Sequence, residues 1–341
     1  METQKRRPWR RWVVLVLMIV GFIVGGLNYF IPVQPEITFA AERLMEEPLF
    51  TLPVIGPFYL VNTIPPLIFT VLLVLVLAFY TNRSMKKSER TDLVPRGIGN
   101  LMEAFFELLY NMTEGATGAK WAPVIFPWFA TIMFYVLFAN LLKLIPGFES
   151  IGILHPSATG HPVQPMGIFA NLQPGEAASG NGYILVPFLR GVSIDLNFTL
   201  AIALISVLMT QIIGVQTQGF GYFSKFFNVR NMFKVPFFGA MDFLVGLLEI
   251  ISEFSKIISF AFRLFGNMFA GLVLVAIVSS LLGKISILPS MIMMFELFVG
   301  VIQAFVFGML TMVFMAQATQ GHGHEEEHEE THAEPVEVHA V

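Results

Sequence analysis

The sequence contains no cysteine. That absence removes disulfide bridges, thiolate metal sites and cysteine nucleophiles together. Charge is scarce as well: Asp, Glu, Lys and Arg make up 13% of the 341 residues, against roughly 25% in soluble domains. Histidine is missing from every long apolar run, because all seven lie at His155, His161 or beyond residue 320, so no imidazole is placed to relay protons within such a run. No GxxxxGK[ST] phosphate loop occurs, which leaves no signature for a nucleotide site. No basic stripe points to nucleic acid. There is neither the alternating ten-residue pattern of a barrel nor an internal repeat of the kind that builds many transporters.

What is there is apolar: 55% hydrophobic side chains and a mean hydropathy of +0.71. A hydrocarbon core about 30 Å thick is crossed by about 20 apolar residues in helix. Six such runs, 13–31, 61–80, 125–145, 196–215, 241–282 and 288–320, predict an all-α integral membrane protein. The segment 97–114, GIGNLMEAFFELLYNMTE, sets Leu101, Ala104, Phe105, Leu108, Leu109 and Met112 at helical spacing while Glu103 and Glu107 sit together elsewhere. It predicts one interfacial amphipathic helix beside the six apolar ones.

Charge sorts the connections. METQKRRPWRR precedes the first run and marks residues 1–32 as a signal anchor or a signal peptide. Residues 33–60 are polar and proline-rich and read as an external segment. TNRSMKKSER after the second run, and Lys225, Arg230 and Lys234 after the fourth, mark the cytoplasmic side, whereas the Gly- and Pro-rich loop 146–190 has few cations and is external. The tail 321–341, acidic and His-rich, carries seven Glu and no Lys or Arg. It has nothing apolar to bury and reads as a disordered cytoplasmic extension.

The last two runs are too long to stand upright, at about 63 Å and about 50 Å of helix against a core of about 30 Å. They predict a long, steeply tilted hairpin closed by GKISILP at 283–289. Within it, FAFRLFGNMFAG places Arg263 at mid-helix, at a cost of about 2.5–3.5 kcal/mol on insertion scales. The guanidinium must face protein or water. One reading pairs it structurally with Glu249 or Glu253. The other follows from its neighbours: Ser259, Arg263, Gly266, Asn267 and Ala270 fall on one face, and small residues there admit another helix closely. On the final run Glu296, Gln303 and Gln317 share a stripe. Antiparallel packing would then distribute Glu249, Glu253, Asp242 and Glu296 over different depths, a pattern suited to a broken water path for a small cation. Arginine stays protonated, with a pKa above about 12. A carboxylate on a partner helix would gain on the order of 4 kcal/mol beside it at 4 Å and an effective dielectric near 20, and the fixed cation would repel any ion attempting to cross directly.

RLFGNMFAG (263–271), with SEFSKIISFAFR before it and IQAFVFGMLTMVF after it, closely resembles subunit a of bacterial F-type ATP synthases. FANLLKLIPG (138–147) and DLNFTL (195–200) extend the likeness, so that residues 61–320 resemble the family's membrane domain. The resemblance implies a stator subunit of the membrane sector with two aqueous half-channels that carry protons to and from the rotor-ring carboxylate, the choice between H⁺ and Na⁺ resting with the binding residues of the ring. It implies that Arg263 faces that carboxylate, that Asn267 and Gln303 support it, that Glu249, Ser259 and Glu296 line half-channels, and that Asp195 and Asn197 lie near the external inlet. The implied partners are the rotor ring of c subunits, peripheral-stalk b subunits, other synthase subunits and the lipid bilayer. The implied setting is a bacterial cytoplasmic membrane with the C-terminus in the cytoplasm. No catalytic site, cofactor or metal on this chain is implied. Leu272 stands where many members carry Glu, Glu296 stands where mitochondrial relatives carry an acid, and Lys143 stands where other members carry an acid or Gly. Two rival functions compete: a secondary transporter in which Arg263 grips an organic anion, and a passive membrane anchor that would tolerate neutral residues at Arg263, Gln303 and Glu296.

Overall fold

In lipid, an apolar run must satisfy its backbone internally, and a helix does this within one segment. The computed structural model describes residues 12, 16, 19, 38, 40–45, 47–53, 56–91, 98–145, 148–157, 160–167, 169–173, 175, 182–226, 236–282 and 287–320. Five of the expected runs are helices: α1 (Ile64–Thr91), α2 (Ile98–Leu142), α3 (Leu196–Gln218), α4 (Pro236–Leu282) and α5 (Ile287–Thr319). Among the described residues, five helices are long and apolar enough to cross a membrane, and the protein is an all-α multi-pass membrane protein. The expected first span, 13–31, lies outside the described residues apart from positions 16 and 19. The tail 321–341, the cations Arg230 and Lys234, most of the 283–289 turn and the Asp242 and Lys225 side chains lie outside them too.

The amphipathic helix and the third span are two helices that meet directly within the 45-residue α2, at a kink where Gly118 has φ 75°, ψ 160°. That conformation is essentially reserved for glycine, so the boundary is one backbone break rather than a loop. The last two runs are single helices of 47 and 33 residues, about 70 Å and about 50 Å long, as the length argument requires.

By its contacts the chain divides into two units. The first comprises Met1–Val74, Val136–Phe198 and Arg263–Ala304, the second Leu75–Tyr135, Thr199–Phe262 and Phe305–Val341.

The first unit holds small antiparallel ladders. β1 (Phe50–Leu52) pairs with β2 (Gly56–Phe58). In the loop between α2 and α3, β3 (Gly152–Ser157) pairs with β6 (Gly182–Pro187), and β4 (Val163–Met166) pairs with β5 (Phe169–Leu172). Each sheet has two strands, so every strand is an edge. This is the setting in which Pro156 and Pro165 can sit within strands, and the prolines that made the loop look irregular in sequence are compatible with its ladders. Arg190, 5% exposed, ties this loop to the N-terminal segment by donating to Thr38 Oγ1 and the Ala40 carbonyl at 2.7 Å each and to the Thr38 carbonyl. A 3₁₀ turn, Val192–Ile194, leads into α3.

The second unit is packed by large apolar side chains. Phe129, Phe307, Met312 and Met315 are at most 2% exposed, and Phe260 stacks on Phe314 with ring centroids 5.3 Å apart. Within it Ser206 and Thr311 pair through their hydroxyls at 2.8 Å.

Candidate functional site

The arginine face of α4 points out of the chain. Ser259, Arg263, Asn267 and Ala270 are exposed, while Leu264, Phe265 and Met268 on the other side of the same turns are buried. A Cβ built at Gly266 would meet nothing within 4 Å. Arg263 takes part in no hydrogen bond or ion pair among the described residues; Glu253 is ion-paired to Lys256 at 3.1 Å. Glu253 is 9% exposed and Glu249 half-buried; both belong, with Ser259, to the second unit.

In the first unit a polar seam runs behind the arginine face. Asn267 Nδ2 donates to Gln303 Oε1 at 2.7 Å. Gln303 is 4% exposed, and its Nε2 is buried without a hydrogen-bond partner. One and two turns earlier on α5 come Gly300 and Glu296, which are buried, whereas Phe295, Leu297, Phe298, Val301 and Ile302 are exposed. Buried polar groups set one above another on a helix otherwise turned toward lipid are costly unless they serve each other or water. Asn140 of α2 donates Nδ2 to the Gly300 carbonyl at 3.0 Å, leaving its own Oδ1 buried and unpartnered. Three residues on, Lys143 ion-pairs with Glu296, with side chains 5% and 9% exposed. Gly271 of α4 closes the cluster: a Cβ there would stand 2.7 Å from Glu296 Oε1. The two orphaned atoms, Asn140 Oδ1 and Gln303 Nε2, are the kind of site that buried water fills.

Gln317 leaves the stripe. It is exposed, whereas Glu296 and Gln303 are buried, because a seven-residue repeat drifts by about 20° per heptad on a 3.6-residue helix.

In the loop that follows Lys143 lies Glu149. It has a positive φ of 62°, the single non-glycine case among the described residues. Its Oε1 accepts the Gly191 N–H at 2.9 Å, and its own N–H donates to the Leu189 carbonyl at 3.1 Å. Burial pushes its carboxyl above the ordinary range, against the pull of the Gly191 N–H, Lys143 and Arg190. Asp195, 4% exposed, caps α3: Oδ1 accepts the Asn197 N–H at 3.0 Å and Oδ2 accepts the Thr63 hydroxyl at 3.1 Å. Its burial has this structural account. Asn197 is exposed.

The sequence reading singled out Arg263, Asn267, Gln303 and Glu296, and the structure brings the last three into one seam in the unit that also carries Arg263. It named Lys143 only as a departure from the family pattern at the inlet, and did not assign Asn140, Glu149 or Gly271 to a site. Asn140 and Lys143 carried a signal, being polar residues near the end of an apolar span. Glu149 and Gly271 carried none, since only the fold places them against their partners.

The family model for the ATP synthase A chain matches residues 66–316, most of the chain. ATP synthase subunit a of Helicobacter pylori is 30% identical over 258 residues, covering 74% of this chain and 91% of that protein. The Mycobacterium tuberculosis subunit a is 29% identical over 259 residues, covering 75% of this chain and 85% of that protein. With an arginine held on an open helix face and that match over most of its length, the chain belongs to the ATP synthase A chain family, the subunit a family.

Proposed function

We propose that the chain is the stator subunit of the membrane sector of a rotary ATP synthase, conducting protons through two aqueous half-channels to and from carboxylates on a ring of c subunits. The observation that supports this most is the open α4 face. A permanently charged guanidinium stands exposed and unpaired between small or amide-bearing neighbours, which suits a partner helix passing close by. A ring carboxylate is stabilised as an anion beside Arg263 and is disfavoured in lipid elsewhere, so deprotonation is confined to that point and ion flow is tied to rotation.

Asn267 and Gln303 hold the arginine face in register, and Glu296 belongs to the external half-channel with Asp195 and Asn197 near its mouth. Glu249, Glu253 and Ser259 serve the other half-channel. The chain has no bond chemistry of its own. It works with the ring, peripheral-stalk b subunits and other synthase subunits in a bacterial cytoplasmic membrane, with residues 1–32 as anchor or signal, 33–60 external, 61–320 as the shared membrane domain and 321–341 in the cytoplasm. The match over 66–316 supports that division.

Inverted vesicles carrying Arg263→Ala should lose ATP-driven acidification while the detached catalytic sector still hydrolyses ATP. Normal pumping by that variant would falsify the stator reading. Saturable uptake of an organic anion by the purified chain would replace it with a transporter.

A further inference from the structure

The second unit holds an open cavity of ≈ 400 Å³, lined by Met85 of α1 and by Glu103, Phe106, Glu107, Tyr110 and Phe126 of α2. The stator reading leaves it unused. Its rings meet edge to face, Phe106 and Phe126 with centroids 6.3 Å apart at 85°, Tyr110 and Phe126 with centroids 5.4 Å apart at 73°. Crossed rings turn their faces in different directions, and each face carries the negative lobe of a ring quadrupole. Glu103 and Glu107, one helical turn apart, add two carboxylates. Neither takes part in a hydrogen bond or ion pair among the described residues. Like charges at this spacing oppose the helix that carries them, so a cation held between them relieves a repulsion as well as gaining contacts.

The depth of the cavity says what kind of molecule brings that cation. α1 is apolar up to Tyr80 and polar from Thr81 onward, and Met85 stands about 8 Å beyond Tyr80 along the helix. That is the headgroup layer flanking the hydrocarbon core. On α2, Leu101, Ala104 and Leu108 are exposed, an apolar stripe of the kind that lies in the interface plane. The volume suits a molecular headgroup rather than a bare ion, since a single water takes up about 30 Å³. The rest of such a molecule is answered on α1. Arg83 and Lys86, on the same turn as Met85, are exposed and match a phosphate, and Leu75 and Phe79, exposed nearer the apolar end, offer surface to acyl chains. A lysine side chain from another protein would answer the carboxylates alone.

We propose that this cavity binds the headgroup of a zwitterionic phospholipid that ends in a primary ammonium. The ammonium sits among Phe106, Tyr110 and Phe126 and donates to Glu103 and Glu107, while Arg83 and Lys86 hold the phosphate. Cation–π attraction and charge-assisted hydrogen bonds then act on one group. The bound lipid ties the polar end of α1 to the amphipathic segment of α2. All of these residues belong to the second unit and Arg263 to the first, so the site stands or falls separately from the stator reading.

The test uses the whole wild-type synthase in vesicles of phosphatidylethanolamine with phosphatidylglycerol, and in vesicles of phosphatidylglycerol alone. A water-soluble carbodiimide condenses a carboxyl with a primary amine, forming an amide with loss of water. In the first vesicles it should attach phosphatidylethanolamine to the peptide carrying Glu103 and Glu107, read by its mass, and in the second it should attach nothing. A cross-link from either glutamate to a lysine of any protein chain in place of the lipid overturns the proposal, as does the absence of an adduct. Native mass spectrometry of the detergent-extracted membrane sector gives a second readout. Glu103→Gln with Glu107→Gln should retain phosphatidylethanolamine on the order of tenfold more weakly, as when hydrogen bonds to a charged group are lost. Phe106→Leu, which keeps both carboxylates, should retain it about threefold more weakly through the lost ring face. Undiminished retention in either variant overturns the proposal, and if a variant fails to assemble the wild-type adduct decides. Arg263→Ala should lose ATP-driven acidification and keep the lipid adduct, so failure of the lipid site and failure of the stator reading are told apart.

Discussion

The hydrogen side chain of Gly271 is what lets α4 lie against the Glu296 carboxylate. A Cβ there would come within 2.7 Å of Glu296 Oε1 and 3.2 Å of its Cγ, so the carboxylate that arrives from α5 would have to shift, and α4 leaves room for it by carrying glycine. Gly271→Val should leave the synthase assembled while lowering ATP-driven acidification, because Glu296 is pushed away from Lys143. Adding Glu296→Asp, which shortens the intruding side chain by one methylene, should restore part of the lost rate. No recovery in the double variant would mean that Gly271 serves some contact other than Glu296. At this scale the sequence was legible where a residue violated its surroundings: a guanidinium inside an apolar helix demands a reason whatever the fold. The Lys143–Glu296 pair spans 153 residues and the Asn267–Gln303 bond 36. Neither leaves a trace in local spacing, so those partners emerged only when α2, α4 and α5 were folded together.

Among elements, helix starts and breaks were less readable than helix cores. Hydropathy located α3, α4 and α5 because lipid leaves an apolar run little choice but helix. It divided α2 in two where the pattern changes from amphipathic to apolar, and the backbone does break between those two segments, at Gly118. The β3–β6 and β4–β5 ladders went unseen, since Pro156 and Pro165 argue against strands wherever both edges are paired. The start of α3 separates two roles that a sequence motif runs together. Asp195 caps the helix through Asn197 N–H and holds Thr63, and it was also placed near the external inlet. Asp195→Ala should cost about 0.5–2 kcal/mol through the lost cap, visible as a lower denaturation midpoint in detergent. Asn caps as well as Asp does, so Asp195→Asn should keep most of that stability. If Asp195→Asn nevertheless conducts poorly, the carboxylate itself belongs to the inlet. If it conducts normally, Asp195 is a cap and the inlet lining lies elsewhere.

For the molecule as a member of an assembly, the decisive property is which apolar and polar surfaces are covered by other chains. Much of the exposed surface of α1 and α5 is large and aliphatic or aromatic, Val76 and Phe79 at 66% and 68% for example, and a bilayer accounts for it. The Ser259–Ala270 face is different in kind, polar and small, and lipid is a poor solvent for it. Because the natural chain has no cysteine, each engineered thiol reports one position alone. Ser259→Cys and Ala270→Cys, both on the exposed face, should react with a small soluble thiol reagent in the detergent-solubilised chain and become protected when the membrane sector is assembled with its ring. Met268→Cys, at a position 0% exposed, should be unreactive in both states. Val76→Cys, exposed on a different helix, α1, should keep its reactivity on assembly if the ring covers only the α4 face. Equal labelling of positions 259 and 270 before and after assembly would place the ring on another surface, and the function argued from the open arginine face would then have to be abandoned.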